Sequence, residues 1–217
     1  MGRAGRLARF HETDLYVVIT EAFCGGRRAL EILDDVLAAG AGIVQFREKG
    51  LEDGELYERG LAFRERTHNA GALLMVDDRV DVALAIGADG VHLGSSDLPC
   101  EAARRIAPEL IIGASSHSLD EALAAEAAGA DYVNIGPIFP TQTKTADTEP
   151  LGPEMIETIA PYLSAPFTVM GGINTGNIDE VLRRGARHVA VVTAVTQASD
   201  VRAATAELRR MILSGRR

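Results

Sequence analysis

The chain has 217 residues, 47% of them hydrophobic, with 31 acidic against 22 basic side chains and a formal net charge of −9. This suits a soluble globular domain with a real core. No apolar run approaches the roughly 20 residues a membrane span needs, and an acidic balance with basic residues clustered at the termini argues against a nucleic-acid partner.

Residues 1–14 begin MGRAGRLARF, which is basic and lacks the apolar stretch of a signal peptide; they are expected to form a frayed N-terminal arm. Residues 15–213 then alternate two kinds of segment. Short apolar, β-rich runs occur at Leu15–Ile19, Ile43–Phe46, Leu73–Val76, Gly90–Leu93, Ile111–Ala114, Tyr132–Ile135, Phe167–Met170 and His188–Val192. Most are almost continuously apolar, as expected for parallel strands covered on both faces. Helix-patterned stretches follow at Arg27–Ala39, Asp53–Asn69, Arg79–Ile86, Cys100–Ile106, Leu119–Ala128, Pro153–Tyr162, Thr175–Arg184 and Val201–Leu213. Four Gly-Ala pairs, at Gly40, Gly87, Gly129 and Gly185, each separate a helix-like run from a strand-like one. Glycine suits the residue just past a helix, where the backbone turns left-handed. Eight strands alternating with eight helices in one domain predict an α/β fold, a (βα)8 TIM barrel. An open doubly wound sheet is the second choice. Cys24 and Cys100 have neither metal-like nor redox-like spacing and read as reduced thiols of a cytoplasmic protein.

In such a barrel the segments after the strands share one mouth. Gln45, Arg47 and Lys49 alternate after the second strand and so share one side of an extended chain. Asp77-Asp78 follow the third strand, Gly94-Ser95-Ser96-Asp97 the fourth, and Ser115-Ser116-His117 the fifth. The sixth connection carries Thr141-Gln142-Thr143-Lys144, and its Pro140–Leu151 segment is a candidate lid. Gly171-Gly172 follow the seventh strand and Thr193 the eighth. Each has a plainer reading. The aspartates, Asp81, Asp89 and Asp131 among them, suit helix caps or turns, the glycines a tight turn, and His117 a structural histidine. Carboxylates from adjacent strands beside several cations fit a metal-bound polyphosphate better. Backbone amides near strands seven and eight fit a second phosphate. Together they suggest a transferase that displaces diphosphate onto a phosphorylated acceptor.

Several segments resemble one family. They are Gln45-Phe46-Arg47-Glu48-Lys49-Gly50, Asp78-Arg79-Val80-Asp81, Ala88 to Gly94, Gly129 to Val133, Gly136 to Lys144 and Gly171-Gly172-Ile173. In this order, from about Leu15 to Asp200, they resemble thiamine-phosphate synthase. The resemblance implies a (βα)8 enzyme that joins hydroxymethylpyrimidine diphosphate to thiazole phosphate. It implies Mg²⁺ on Asp78 and Asp97, and catalytic roles for Arg47, Lys49, Ser115 and Lys144. Substrate contacts are implied for Gln45, Arg47, Lys49, Ser115 and Lys144 on the pyrimidine side. Thr141, Thr143, Gly172, Val192 and Thr193 are implied on the thiazole side. Phe46, Glu48, Asp77 and Gln142 complete the expected substrate-binding set. The chain departs from the family where Asp77 replaces a usual Asn and Ser95 a usual Gln. The related thiazole tautomerases, with a histidine at the place of His117, are the alternative. A non-catalytic thiamine-phosphate-binding protein is a further one. A homodimer is the expected assembly.

Overall fold

Four to six residues of nearly unbroken apolar sequence suit a strand covered on both sides. Eight such segments form strands in the computed structural model, which describes residues 1–141, 143 and 149–215. They are β1 Leu15–Ile19, β2 Ile43–Phe46, β3 Leu73–Asp77, β4 Gly90–Leu93, β5 Ile111–Ser116, β6 Tyr132–Ile135, β7 Phe167–Met170 and β8 His188–Val191. Every neighbour pairs in parallel, and β8 pairs with β1 to close the barrel. The helices, in chain order, are α1 Arg3–Glu12, α2 Ala29–Ala38, α3 Asp53–Asn69, α4 Val80–Ala85 and α5 Cys100–Ile106. They continue with α6 Leu119–Ala127, α7 Met155–Ile159, α8 Ile178–Arg183, α9 Thr193–Thr196 and α10 Val201–Gly215. No described helix is long and apolar enough to cross a membrane.

The strands fall within two residues of the expected bounds. The differences have a use. β3 runs on to Asp77, which pairs with His92, and β5 runs on to Ser116, with Ser115 paired to Asn134. Polar residues expected in loops are therefore held by the sheet itself.

Strand alternation splits the core in two. Outward residues such as Val17, Val44, Leu74 and Val133 pack under the helices. Inward residues such as Tyr16, Ile43, Leu73, Met75, Ile111 and Tyr132 fill the lumen. Gly113 makes room there, because a side-chain carbon on it would overlap the Tyr132 ring.

The N-terminal segment is not a frayed arm. It is helix α1, and it plugs the floor of the barrel. Phe10 is fully buried, with its ring 4.7 Å from Tyr132 and 5.1 Å from His188. The arginines of α1 meet two carboxylates that the sequence suggested were caps or turn residues. Asp131 pairs with Arg3 and with Arg104, and accepts the Ile112 N–H at 2.8 Å. Asp89 pairs with Arg6 and Arg64, and accepts the Leu74 N–H at 3.0 Å. Both are almost fully buried, which a carboxylate tolerates only when paired and hydrogen-bonded. The third residue of Gly-Ala-Asp is thus a staple between one strand, the helix before it and α1. Asp14 does the same for the last helix, accepting from Arg209 of α10 at 2.9 Å.

If α1 is part of the core, Phe10→Ala should lower the unfolding free energy by about 3–5 kcal/mol in urea denaturation. A loose arm would leave it unchanged.

Candidate active site

Alternation along β2 turns Gln45 inward, and the same side of the chain continues to Arg47 and Lys49 beyond the strand end. These three face Asp77, Asp78, Asp97 and Ser115 across a cavity of about 200 Å³ at the C-terminal mouth. A second cavity, of about 670 Å³, lies between the connections after β6, β7 and β8 and is lined by Thr141, Thr143, Gly172, Val192 and Thr193. The two share Phe23, Thr143, Met170 and Val192 as walls, so they are adjoining compartments of one mouth.

The first compartment is a dense charge cluster. Asp77 Oδ2 lies 3.3 Å from Arg47 Nε and 2.9 Å from Lys49 Nζ, and Lys49 also pairs with Asp78. Asp78 and Asp97 share a hydrogen bond, and Asp97 accepts the Gly94 N–H at 2.6 Å. Burial and the contact with Asp78 push the Asp97 carboxyl up. Burial works against ionisation of Asp78 too, but the Asp97 hydrogen bond and the Lys49 ammonium outweigh it and hold Asp78 below the usual range. Two carboxylates this close keep a proton or a cation between them.

Asp78 is also the one described residue other than glycine with a positive φ, +60°. Aspartate is among the few side chains that visit this region, at a cost of order 1 kcal/mol. The strained backbone aims its carboxylate at Asp97. Among the described residues no three His, Cys, Asp or Glu side chains form a ready-made metal cage. A pair of carboxylates suits Mg²⁺, which keeps several waters and takes phosphate oxygens as its remaining ligands.

The second compartment is built from backbone. Gly171 and Gly172 have φ of +109° and +63°, and a side-chain carbon on Gly172 would sit 2.5 Å from the Pro140 carbonyl oxygen. The Gly172 carbonyl accepts from Asn174 Nδ2 and Asn177 Nδ2 at 3.2 and 3.0 Å. Opposite it, α9 starts after Val192. The N–H groups of Thr193 and Ala194 have no carbonyl one turn back to bond. Thr141 and Thr143 hydroxyls lie 2.8 Å apart on the third side.

Not every expected site residue arrives at the mouth. Phe46 faces outward, its ring 4.7 Å from Phe63. Glu48 turns back to accept the Glu21 N–H at 2.8 Å. Both sit between inward neighbours, so alternation sends them the other way. Gln142 and Lys144 lie outside the described residues, as does half of the candidate lid. His117 is held by Glu121 of α6, with Nδ1 2.8 Å from Oε2, and is not among the described residues lining either cavity. Sequence reasoning assigned no role to His92, which lines the first compartment. Its Nε2 is 3.0 Å from Ser115 Oγ. The signal was available: His92 shares the inward face of β4 with Gly90, and it pairs with Asp77.

Comparison with known proteins agrees with this geometry. Residues 15–195 match the family model described as thiamine monophosphate synthase. The chain belongs to that family. It is 46% identical to a thiamine-phosphate synthase of Moorella thermoacetica, over 94% of this chain and 97% of that one. It is 42% identical to one of Chloroflexus aurantiacus, over 95% of each. A solved thiamine phosphate pyrophosphorylase from Pyrococcus furiosus superposes with a TM-score of 0.88 at 44% identity, covering 96% of this chain and 98% of that chain.

Resemblance to thiamine-phosphate synthase implies Asn at position 77, where this chain has Asp. The structure gives Asp77 a specific place, between the two cations that would face an incoming anion. Burial and the nearby Asp78 push its carboxyl up, against the pull of Lys49. Asp77→Asn keeps the volume and removes the competing charge. It should tighten binding of inorganic diphosphate in the presence of Mg²⁺ by about 3–10-fold, or ~1 kcal/mol, as read by titration calorimetry. Unchanged or weaker binding would show that Asp77 does not compete.

Proposed function

We propose that this chain is a thiamine-phosphate synthase, a transferase that joins 4-amino-2-methyl-5-hydroxymethylpyrimidine diphosphate to thiazole phosphate and releases diphosphate. The observation that carries this reading is the pair of adjoining compartments. One is lined by carboxylates and cations, the other by Gly171, Gly172 and the threonines Thr141, Thr143 and Thr193, and they meet at Phe23, Thr143, Met170 and Val192. Two anionic groups would thus be anchored apart, with the two rings facing each other between them.

The chemistry needs no strong protein base or nucleophile. The C–O bond between the pyrimidine methylene and the diphosphate breaks, helped by electron donation from the ring amino group. The thiazole nitrogen then closes a C–N bond to that methylene. Arg47 and Lys49 would neutralise the leaving diphosphate, and Ser115 would donate a hydrogen bond to it. Lys144 belongs to the same proposed set. Asp78 and Asp97 would hold Mg²⁺, which when bound supplies charge stabilisation at the diphosphate oxygens. Gln45 would orient the pyrimidine. Thr141, Thr143, Gly172, Val192 and Thr193 would hold the thiazole phosphate, and fixing both partners removes much of the entropic barrier.

The two free, buried thiols fit a reducing compartment such as the cytoplasm, and a homodimer is the assembly we propose. The contact of His117 with Glu121 gives the isomerase alternative no support.

Diphosphate release should require both substrates and Mg²⁺ and stop on chelation. Release from the pyrimidine diphosphate alone, or none from folded protein, would overturn the reading. Asp78→Asn tolerates the left-handed backbone and removes only the charge. It should lower kcat on the order of 10²–10³-fold with the fold intact by circular dichroism.

Gly172→Ala tests the other compartment, since both its φ and the Pro140 carbonyl oppose a side chain there. The KM for thiazole phosphate should rise roughly tenfold or more, with the KM for the pyrimidine diphosphate little changed. Equal effects on both would contradict the assignment.

A further inference from the structure

The lumen holds a continuous chain of hydrogen bonds that runs down into the core and returns to the same cavity. Gln45 Nε2 donates to the Tyr16 hydroxyl at 2.8 Å. The Tyr16 and Tyr132 hydroxyls are 3.2 Å apart. The Tyr132 hydroxyl lies 2.9 Å from His92 Nδ1, and His92 Nε2 lies 3.0 Å from Ser115 Oγ. Gln45 and Ser115, the two ends, both line the first compartment.

Each middle link has one proton to give, so the direction at one end sets the direction at the other. With Gln45 donating to Tyr16, the sense that leaves no buried hydroxyl hydrogen unpaired has Tyr16 donate to Tyr132 and Tyr132 donate to His92 Nδ1, which puts the imidazole hydrogen on Nε2. His92 then donates to Ser115 Oγ. That serine oxygen has already accepted, so its own hydrogen points elsewhere, into the cavity. Burial pushes the pKa values of both phenols up, so both remain protonated and able to donate. The Tyr132 ring is clamped in turn by Phe10 of α1, stacked at 4.7 Å.

The opposite polarity would make Ser115 donate inward and turn its lone pairs toward the cavity. Those lone pairs would repel an anion drawn in by Arg47 and Lys49. The chemistry of the compartment therefore selects the first direction. A hydroxyl that accepts one hydrogen bond also donates more strongly, by perhaps 10–30% per bond.

We propose that Tyr16, Tyr132 and His92 are positioning residues that hold the Ser115 hydroxyl as a fixed hydrogen-bond donor to the diphosphate. The proposal rests on the reading of Ser115 as part of the pyrimidine diphosphate site. None of the three touches the reacting atoms. They act by fixing one proton before substrate arrives, so that no reorganisation is needed in the reaction.

A double-mutant cycle tests it, with Tyr132→Phe, Ser115→Ala and the double variant assayed by diphosphate release. Tyr132→Phe removes one oxygen and keeps the ring. It should lower kcat/KM for the pyrimidine diphosphate about 5–10-fold in the native background, and less than about 2-fold in the Ser115→Ala background. The KM for thiazole phosphate should stay constant throughout. Equal factors in both backgrounds would mean that Tyr132 acts structurally and would overturn the proposal, as would no effect of Tyr132→Phe. A Ser115→Ala enzyme as fast as the native one would overturn it too, while leaving the synthase reading standing. No diphosphate release from the native protein would sink that reading itself. If Tyr132→Phe does not fold by thermal melt, Tyr16→Phe takes its place in the cycle. It lies one link farther along, with the same masking expected and the same outcomes decisive.

Discussion

Every second residue of each strand must fit inside a closed ring of eight, and that limit governs both ends of this molecule. A lumen so narrow is packed by side chains. Its contents here change from apolar at the centre, with Ile43, Leu73 and Ile111, to polar toward the mouth, with Gln45, Asp77, His92 and Ser115. The polar layer is affordable because each group finds a partner within the ring of strands. Asn134 accepts from Thr168 at 2.8 Å, and Gln45 donates to Tyr16. Unpaired, each would cost about 1–3 kcal/mol. The residues of the proposed site are therefore held in position by the same contacts that fill the lumen.

The floor solves a different problem. A parallel barrel leaves strand N–H groups and the ends of the lumen open at its N-terminal side. Asp89 and Asp131 answer both needs, each accepting a strand N–H and pairing with two arginines. One arginine in each pair comes from α1, so the helix is held by charge where its Phe10 is held by packing. Removing one partner of such a buried pair leaves the other uncompensated, which is where the cost lies. The floor and the mouth meet at Tyr132, stacked on Phe10 below and bonded to His92 above.

Eight strands and their order were legible because a doubly covered parallel strand leaves a short, unbroken apolar run. The polar residues of the mouth were legible as types and as loops. The resemblance already pairs Asp78 with Asp97; what the sequence does not announce is that Asp77 sits between Arg47 and Lys49. Phe46 and Glu48 show the limit of a contiguous motif. They lie inside the distinctive Gln45–Lys49 segment, yet alternation turns Phe46 to Phe63 and Glu48 to the Glu21 N–H. The α1 helix does not stand out in the sequence because a ten-residue segment with three arginines looks solvated until Asp89 and Asp131 are known to lie beneath it. Leu7 and Phe10, three apart on one helical face, were the trace of it in the sequence.

The charge cluster would suit an anion and a metal together, as the proposed function requires. Three carboxylates, Asp77, Asp78 and Asp97, face two cations, Arg47 and Lys49. In the free protein Asp77 serves as the counter-charge to both cations, so neither is left half-buried alone. Asp78 and Asp97 remain as neighbouring carboxyls whose mutual contact pushes Asp97 up, with Lys49 paired to Asp78. A divalent cation between those two carboxylates would remove the need for a proton there. It would also lessen the hold of the carboxylates on Lys49, leaving the ammonium freer to meet a diphosphate. Metal and anion then favour each other's binding for an electrostatic reason, because each relieves the repulsion the other would meet. The strained φ of Asp78 belongs to the same account. A backbone held in a costly conformation keeps two carboxylates within hydrogen-bond reach, and that proximity is what gives a dication its advantage there over a lone proton.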